Sequence, residues 1–104
     1  MKKIVDGKIY DTDTATEVGF PLRSKVSKTD FGYWECDLYR TTKGNWFICG
    51  EGNGSSIFAE SVYGGTGSTS GSGIRVVSDG WVRDELERAG CYYALEKYFD
   101  IEEA

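Results

Sequence analysis

Hydrophobic and polar positions alternate most regularly over residues 33–41. Trp34, Cys36 and Leu38 fall on one side, and Tyr33, Glu35, Asp37 and Tyr39 on the other. A period of two predicts a half-buried strand. Thr42-Lys43-Gly44 supplies a turn, and 45–50 gives a partner strand in which alternation disappears, because Trp46-Phe47-Ile48-Cys49 is unbroken apolar chain. Such a run predicts a central strand covered on both faces. A second hairpin opens the chain. Lys3-Ile4-Val5 and Lys8-Ile9-Tyr10 flank Asp6-Gly7, two residues that tolerate the positive φ of a type I′ turn.

Residues 11–19 read as a short helix, with Asp11 as N-cap, Gly19 as the C-terminal stop, and Ala15 and Val18 facing the hairpin. Phe20-Pro21-Leu22 leaves it extended, since proline cannot continue a helix. Residues 23–28 form a polar, basic connector, and 50–56 a flexible turn. For 57–63 periodicity leaves strand and helical turn both open. The glycine- and serine-rich stretch 64–73 has linker composition and predicts a mobile loop. Residues 74–77 return as a strand. Ser78 then caps a helix over 79–89 with Val82, Leu86 and Ala89 on one face, and Gly90 ends or kinks it. A further helix over 91–99 offers Leu95, Tyr98 and Phe99 for packing, and 101–104 frays. The expectation is a single α+β domain spanning 1–104: a small antiparallel sheet, a short N-terminal helix, and one or two C-terminal helices packed on it.

Charge changes the picture more than composition does. The net charge of -5 is unevenly spread: eight Asp/Glu face three Lys/Arg between Asp79 and Ala104, whereas the first 28 residues hold six bases and four acids. An acidic C-terminal segment disfavours direct binding to nucleic acid and favours a basic protein partner. Aromatic residues make up 14% of the chain, and Trp34, Trp46 and Trp81 suit a small core. Cys36, Cys49 and Cys91 are odd in number and widely spaced, and no signal-peptide pattern or membrane-length apolar run appears. Reduced thiols in a cytoplasm, with no membrane association, fit that pattern.

The residues argue against catalysis. Histidine is absent, which removes the commonest general base, the usual zinc ligand and every His-containing triad. The glycine-rich stretch lacks the lysine and following helix of a phosphate-binding loop. Asp11 and Asp13 lack the later glycine and glutamate of a calcium loop. Cys91, at a helix start, lacks a base nearby in sequence. Glu35 and Asp37 share one strand face, and with Glu51 they keep open a small metal-dependent nuclease. A solvated sheet face is the simpler account of them. Tyr33, Tyr39, Tyr92, Tyr93 and Trp81 stand among acids, which favours a protein interface over a base-stacking platform. The expectation is a non-enzyme with no metal and no cofactor.

Lys3-Ile4-Val5-Asp6-Gly7-Lys8-Ile9-Tyr10-Asp11-Thr12-Asp13-Thr14-Ala15 resembles a recurrent opening of small proteins from Firmicutes plasmids, conjugative elements and prophages. The similarity continues through Asp30-Phe31-Gly32-Tyr33, Leu38-Tyr39-Arg40-Thr41 and Gly44-Asn45-Trp46-Phe47-Ile48 to Gly50-Glu51-Gly52 and Tyr63. Small type II-A anti-CRISPR proteins are similar in this N-terminal module and differ over the rest of their length. The resemblance implies an inhibitor of a bacterial defence nuclease, acting on Cas9 or on Cas9 with its guide RNA. Taken with the acidic C-terminal segment, it points to Asp84, Glu85, Glu87, Glu96, Glu102 and Glu103 as partner-binding carboxylates, with Tyr92 and Tyr93 as anchors. The alternative is a non-catalytic interaction module of a mobile element with another partner. Oligomeric state is left open.

Overall fold

A computed structural model describes residues 1–62 and 67–104. Its elements are β1 (Lys2–Val5), β2 (Lys8–Asp11), β3 (Thr16–Arg23), β4 (Trp34–Arg40), β5 (Trp46–Gly52), β6 (Glu60–Ser61), β7 (Ser68–Thr69), β8 (Gly71–Val77), α1 (Asp79–Ala89) and α2 (Tyr92–Tyr98). The fold is α+β. Four strands form an antiparallel sheet in the order β3-β4-β5-β8, β1 pairs with β2, and β6 pairs with β7. Among the described residues no helix is long and apolar enough to cross a membrane.

The two hairpins expected from alternation and turn chemistry form as read. Asp6 and Gly7 take φ of 51° and 75°, as a type I′ turn needs. In β4–β5 the register sets Leu38 against Ile48 and Tyr39 against Phe47. Odd and even positions therefore serve two cores. Trp34, Cys36, Leu38, Trp46 and Ile48 join Val18, Leu22, Val82, Leu86, Ala94 and Leu95 on the face that α1 and α2 cover. Phe47 and Ile74 pack with Tyr10 on the opposite face, beneath the β1–β2 hairpin. Tyr39 stacks on Phe47 at 5.1 Å, and Tyr10 meets the same ring edge-on at 5.6 Å. The unbroken apolar run of β5 thus has the cause expected of it: a central strand with an apolar layer on each side.

The N-terminal helix expected over 11–19 is not formed. The Asp11 carboxylate accepts from the Asp13 N–H at 2.9 Å, and its carbonyl from the Thr14 and Ala15 N–H groups, which closes one turn. Extension stops there because Thr16 and Val18 are β-branched and pair with Arg40 and Leu38 of β4. Gly19, expected to end the helix, holds φ +71° within a bulge between Val18 and Leu22. Capping chemistry and turn chemistry use the same residue types, and the sheet decided between them.

The glycine-rich stretch also differs from the expected loop over 64–73. Residues 64–66 lie outside the described residues, Ser68–Thr69 is a strand, and Gly71, Ser72 and Gly73 extend β8. β5 runs two residues past the expected end at Gly50, so Gly52, expected in a turn, lies in the strand. These glycines are required for close approach. A Cβ at Gly71 would collide with the Phe58 carbonyl, and one at Gly50 with the Glu35 carbonyl. Tyr63 lies outside the described residues; across 57–62 the Ala59 N–H closes a single turn onto the Ser56 carbonyl, Phe58 is fully buried, and Glu60–Ser61 is strand.

Candidate partner-binding surface

The acidic side chains are set by how the two helices end and what they bury. The Ser78 Oγ accepts the Trp81 N–H at 3.1 Å, which starts α1. Gly90 stops it at φ 73°, with its N–H on the Glu87 carbonyl and the Cys91 N–H on the Leu86 carbonyl. Val82 and Leu86 enter the core, so Asp84 and Glu87 face solvent. In α2, Ala94 and Leu95 are buried, leaving Tyr92, Tyr93 and Glu96 outside. Tyr92 is 64% exposed and Tyr93 78%. Glu102 and Glu103 are exposed beyond the end of α2. All eight positions read from the sequence therefore lie in or just after the helical layer on one side of the sheet.

Acids and bases of this layer behave differently. Among the described residues two ion pairs form, Arg75–Glu60 and Arg88–Glu85. Neither uses Asp84, Glu87, Glu96, Glu102 or Glu103. Glu85 is the member of the acidic set engaged inside the fold: it accepts from Arg88 Nε at 2.8 Å, while Arg88 also donates to the Arg23 carbonyl at 2.7 Å. The three bases of the layer lie over aromatic rings, Arg83 over Phe99 at 5.3 Å, Arg88 over Trp34 at 5.9 Å and Lys97 over Tyr98 at 5.4 Å. Arg83 and Lys97 remain exposed and charged, so the sign of the surface comes from number, eight acids against three bases over residues 79–104.

The carboxylates of the sheet stand elsewhere. Glu35 and Glu51 are direct cross-strand partners on the face opposite the helices, with Asp37 two residues along. Together with Tyr33, Arg23 and Lys28 they line a groove of about 1090 Å³. The Tyr33 hydroxyl donates to Glu35 Oε2 at 2.7 Å. That bond, helped by Lys28 and Arg23, lowers the Glu35 pKa, and the same bond raises that of Tyr33. Among the described residues no three acidic, cysteine or histidine side chains come together to hold a metal. Burial pushes the Cys36 thiol up to about 12 and raises Cys49 as well, which disfavours thiolate at either.

Sequence reasoning assigned no role to one exposed ring. Phe31 is 77% exposed in the segment between β3 and β4 that also carries Lys25 and Lys28. Its signal was an aromatic set between turn formers, Asp30 and Gly32, where burial is hard to arrange. A comparison with family models finds no match to this chain, and comparisons with curated proteins and with solved structures find none either.

Proposed function

We propose that this chain is a mobile-element-encoded, non-catalytic inhibitor of a bacterial defence nuclease, binding Cas9 or guide-loaded Cas9 through its acidic helical layer. The observation that carries the reading is the asymmetry of that layer. Asp84, Glu87, Glu96, Glu102 and Glu103 stand free of ion pairs, whereas Arg83, Arg88 and Lys97 lie over aromatic rings. Cas9 carries positively charged channels for its guide–target heteroduplex. A folded acidic surface competes there with a polyanion, and opposite charge speeds the encounter. Tyr92 and Tyr93 add rigid aromatic area of the kind that anchors protein interfaces. The resemblance of the N-terminal module supports the choice of target.

The test is a cleavage assay with purified Cas9, with the inhibitor added before or after guide loading, at low and high salt. The combined variant Asp84→Lys, Glu87→Lys and Glu96→Lys keeps good helix formers and reverses three charges. Its inhibition should fall at least about tenfold at low salt, roughly the loss of one strong interfacial charge contact. Inhibition unchanged by these reversals would remove the acidic mechanism. Equal effects on plasmid transfer into hosts with and without Cas9 would remove the target.

A further inference from the structure

Asn53 ties the segment between β3 and β4 to the end of β5. Its Nδ2 donates to the Lys28 and Asp30 carbonyls at 3.0 and 2.8 Å, and its backbone N–H donates to the Tyr33 carbonyl at 2.8 Å. Its own carbonyl accepts from Ser56 Oγ at 2.7 Å and from the Ser56 N–H at 3.1 Å. The Ser55 N–H, close by in the same turn, donates to the Phe31 carbonyl at 2.8 Å. Both partners of the Asn53 side chain are carbonyls, so an amide nitrogen has to face them. An oxygen in that place would meet lone pairs with nothing to donate.

The residue after Asn53 is glycine. Asparagine is among the thermolabile side chains. Its weak point is attack by the next backbone nitrogen on its own side-chain carbonyl carbon. A side chain on that next residue hinders the approach, and Gly54 has none. Gly54 lies beyond the end of β5, and among the described residues its N–H donates no hydrogen bond, so no acceptor of the fold competes for it. The chain holds one other asparagine, Asn45, and no glutamine. Asn45 precedes Trp46, a bulky residue buried in the core. The two asparagines therefore present opposite cases within one molecule.

We propose that Asn53 is a site of spontaneous deamidation, and that its product releases the segment between β3 and β4. Hydroxide takes the Gly54 amide proton, and the nitrogen forms a bond to Asn53 Cγ. Nδ2 takes a proton from water and leaves as ammonia, which gives a cyclic imide and returns the hydroxide. Water then adds to either carbonyl of the imide and breaks one C–N bond, giving aspartate or isoaspartate. Water is the co-reactant, and nothing is oxidised or reduced. The two Nδ2 bonds must open before Cγ can be reached, so the folded chain converts more slowly than the unfolded one. Closure afterwards is barred. The new carboxylate has no proton to give the Lys28 and Asp30 carbonyls. It also stands in a groove of about 420 Å³ that Glu35 and Glu51 already line. Isoaspartate adds a carbon to the backbone as well, which shifts the Ser55–Phe31 bond out of register. The conversion is a one-way latch on the segment that carries Lys25 and Lys28, and it is independent of what the molecule binds.

The purified chain, held at mildly alkaline pH and sampled over weeks, tests this by mass spectrometry after cleavage at glutamate, which puts Asn45 and Asn53 in different peptides. The expected result is the mass gain of an amide-to-acid change in the Asn53 peptide, its absence from the Asn45 peptide, and a faster gain in urea. Gly54→Ala should slow the gain severalfold in urea, where folding plays no part. Asn53→Asp installs one product directly. In that variant the Asp30, Tyr33 and Ser55 amides should exchange hydrogen at least about tenfold faster, the scale of the two bonds lost, while Leu86 in α1 keeps its protection. The aged parent, separated from unconverted chain by anion exchange, gives the same reading without a variant. An Asn53 peptide unchanged in the folded chain once the unfolded chain has converted overturns the inference. So does conversion centred on Asn45, or a converted chain that exchanges hydrogen at the parent's rates.

Discussion

Tyr33 and Glu35 stand two residues apart on the open face of the sheet and share one proton-sensitive contact. Folding lowers the Glu35 pKa, so this group adds stability above the ordinary carboxylate range and withdraws it as pH falls through the folded value. Tyr33 runs the other way. Its pKa is raised, so its contribution is present below 10.0 and fades as pH rises through the folded value. In Tyr33→Phe, the Glu35 carboxyl followed by carbon-13 NMR should titrate higher, toward 4.5. The urea midpoint of that variant should also drop less between neutral and acid pH than that of the parent. Gly71 makes a steric prediction instead. Gly71→Ala drives a methyl group into the Phe58 carbonyl and should destabilise by about 2 kcal/mol, the scale of overpacking, seen as a lower urea midpoint with unchanged slope. Single residues were unevenly legible. Alternation placed Trp34, Cys36 and Leu38 inside, but nothing in the sequence near Gly71 names Phe58, whose approach is set by a tertiary contact.

Among the elements, those defined by local chemistry were the ones the sequence disclosed. Ser78 and Gly90 bound α1 as their capping chemistry requires, and Ser78→Ala should lower stability by about 1 kcal/mol in denaturant titration. The first turn after β2 had equally good local signals for a helix. It became the entry to β3 because pairing with β4 engages five residues, Thr16, Glu17, Val18, Leu22 and Arg23, against one turn's worth of bonds. A helix that short is marginal without tertiary support, so the neighbouring strand wins. The sheet edges are managed as well. Pro21 and the Gly19 bulge interrupt β3, while Arg75 and Lys3 both donate to the Ile74 carbonyl of β8, at 3.0 and 3.3 Å. The β1–β2 hairpin depends on one buried ring, Tyr10 against Phe47. Tyr10→Ala should strip hydrogen-exchange protection from β1 and β2 while leaving α1 protected.

At the scale of the whole molecule, charge is segregated as well as structure. Bases predominate in the first 28 residues and acids in the last 26, and the fold places the acids on the helical side. The sign of that segment was plain in the sequence, but its availability was not. That depends on Arg88 taking Glu85 while Val82, Leu86, Ala94 and Leu95 enter the core and leave Asp84, Glu87 and Glu96 outside, an arrangement that arises only when α1 and α2 pack on the sheet. The sheet also divides the interior. Phe47 and Ile48 are neighbours in β5, yet one belongs to the hairpin side and the other to the helical side. Phe47→Ala and Ile48→Ala should each cost about 2–5 kcal/mol by calorimetry, with the loss beginning in opposite layers.

The placement of the three tryptophans is a result of that division. Trp34 and Trp46 are buried beneath the helices, and Trp81 packs against the same cluster. Intrinsic fluorescence is consequently a one-sided gauge, sensitive to release of the helices and blind to loosening of the hairpin. A spectroscopist following emission alone would score a detached N-terminus as native, and a tyrosine-selective signal from Tyr10 would have to supply the missing half.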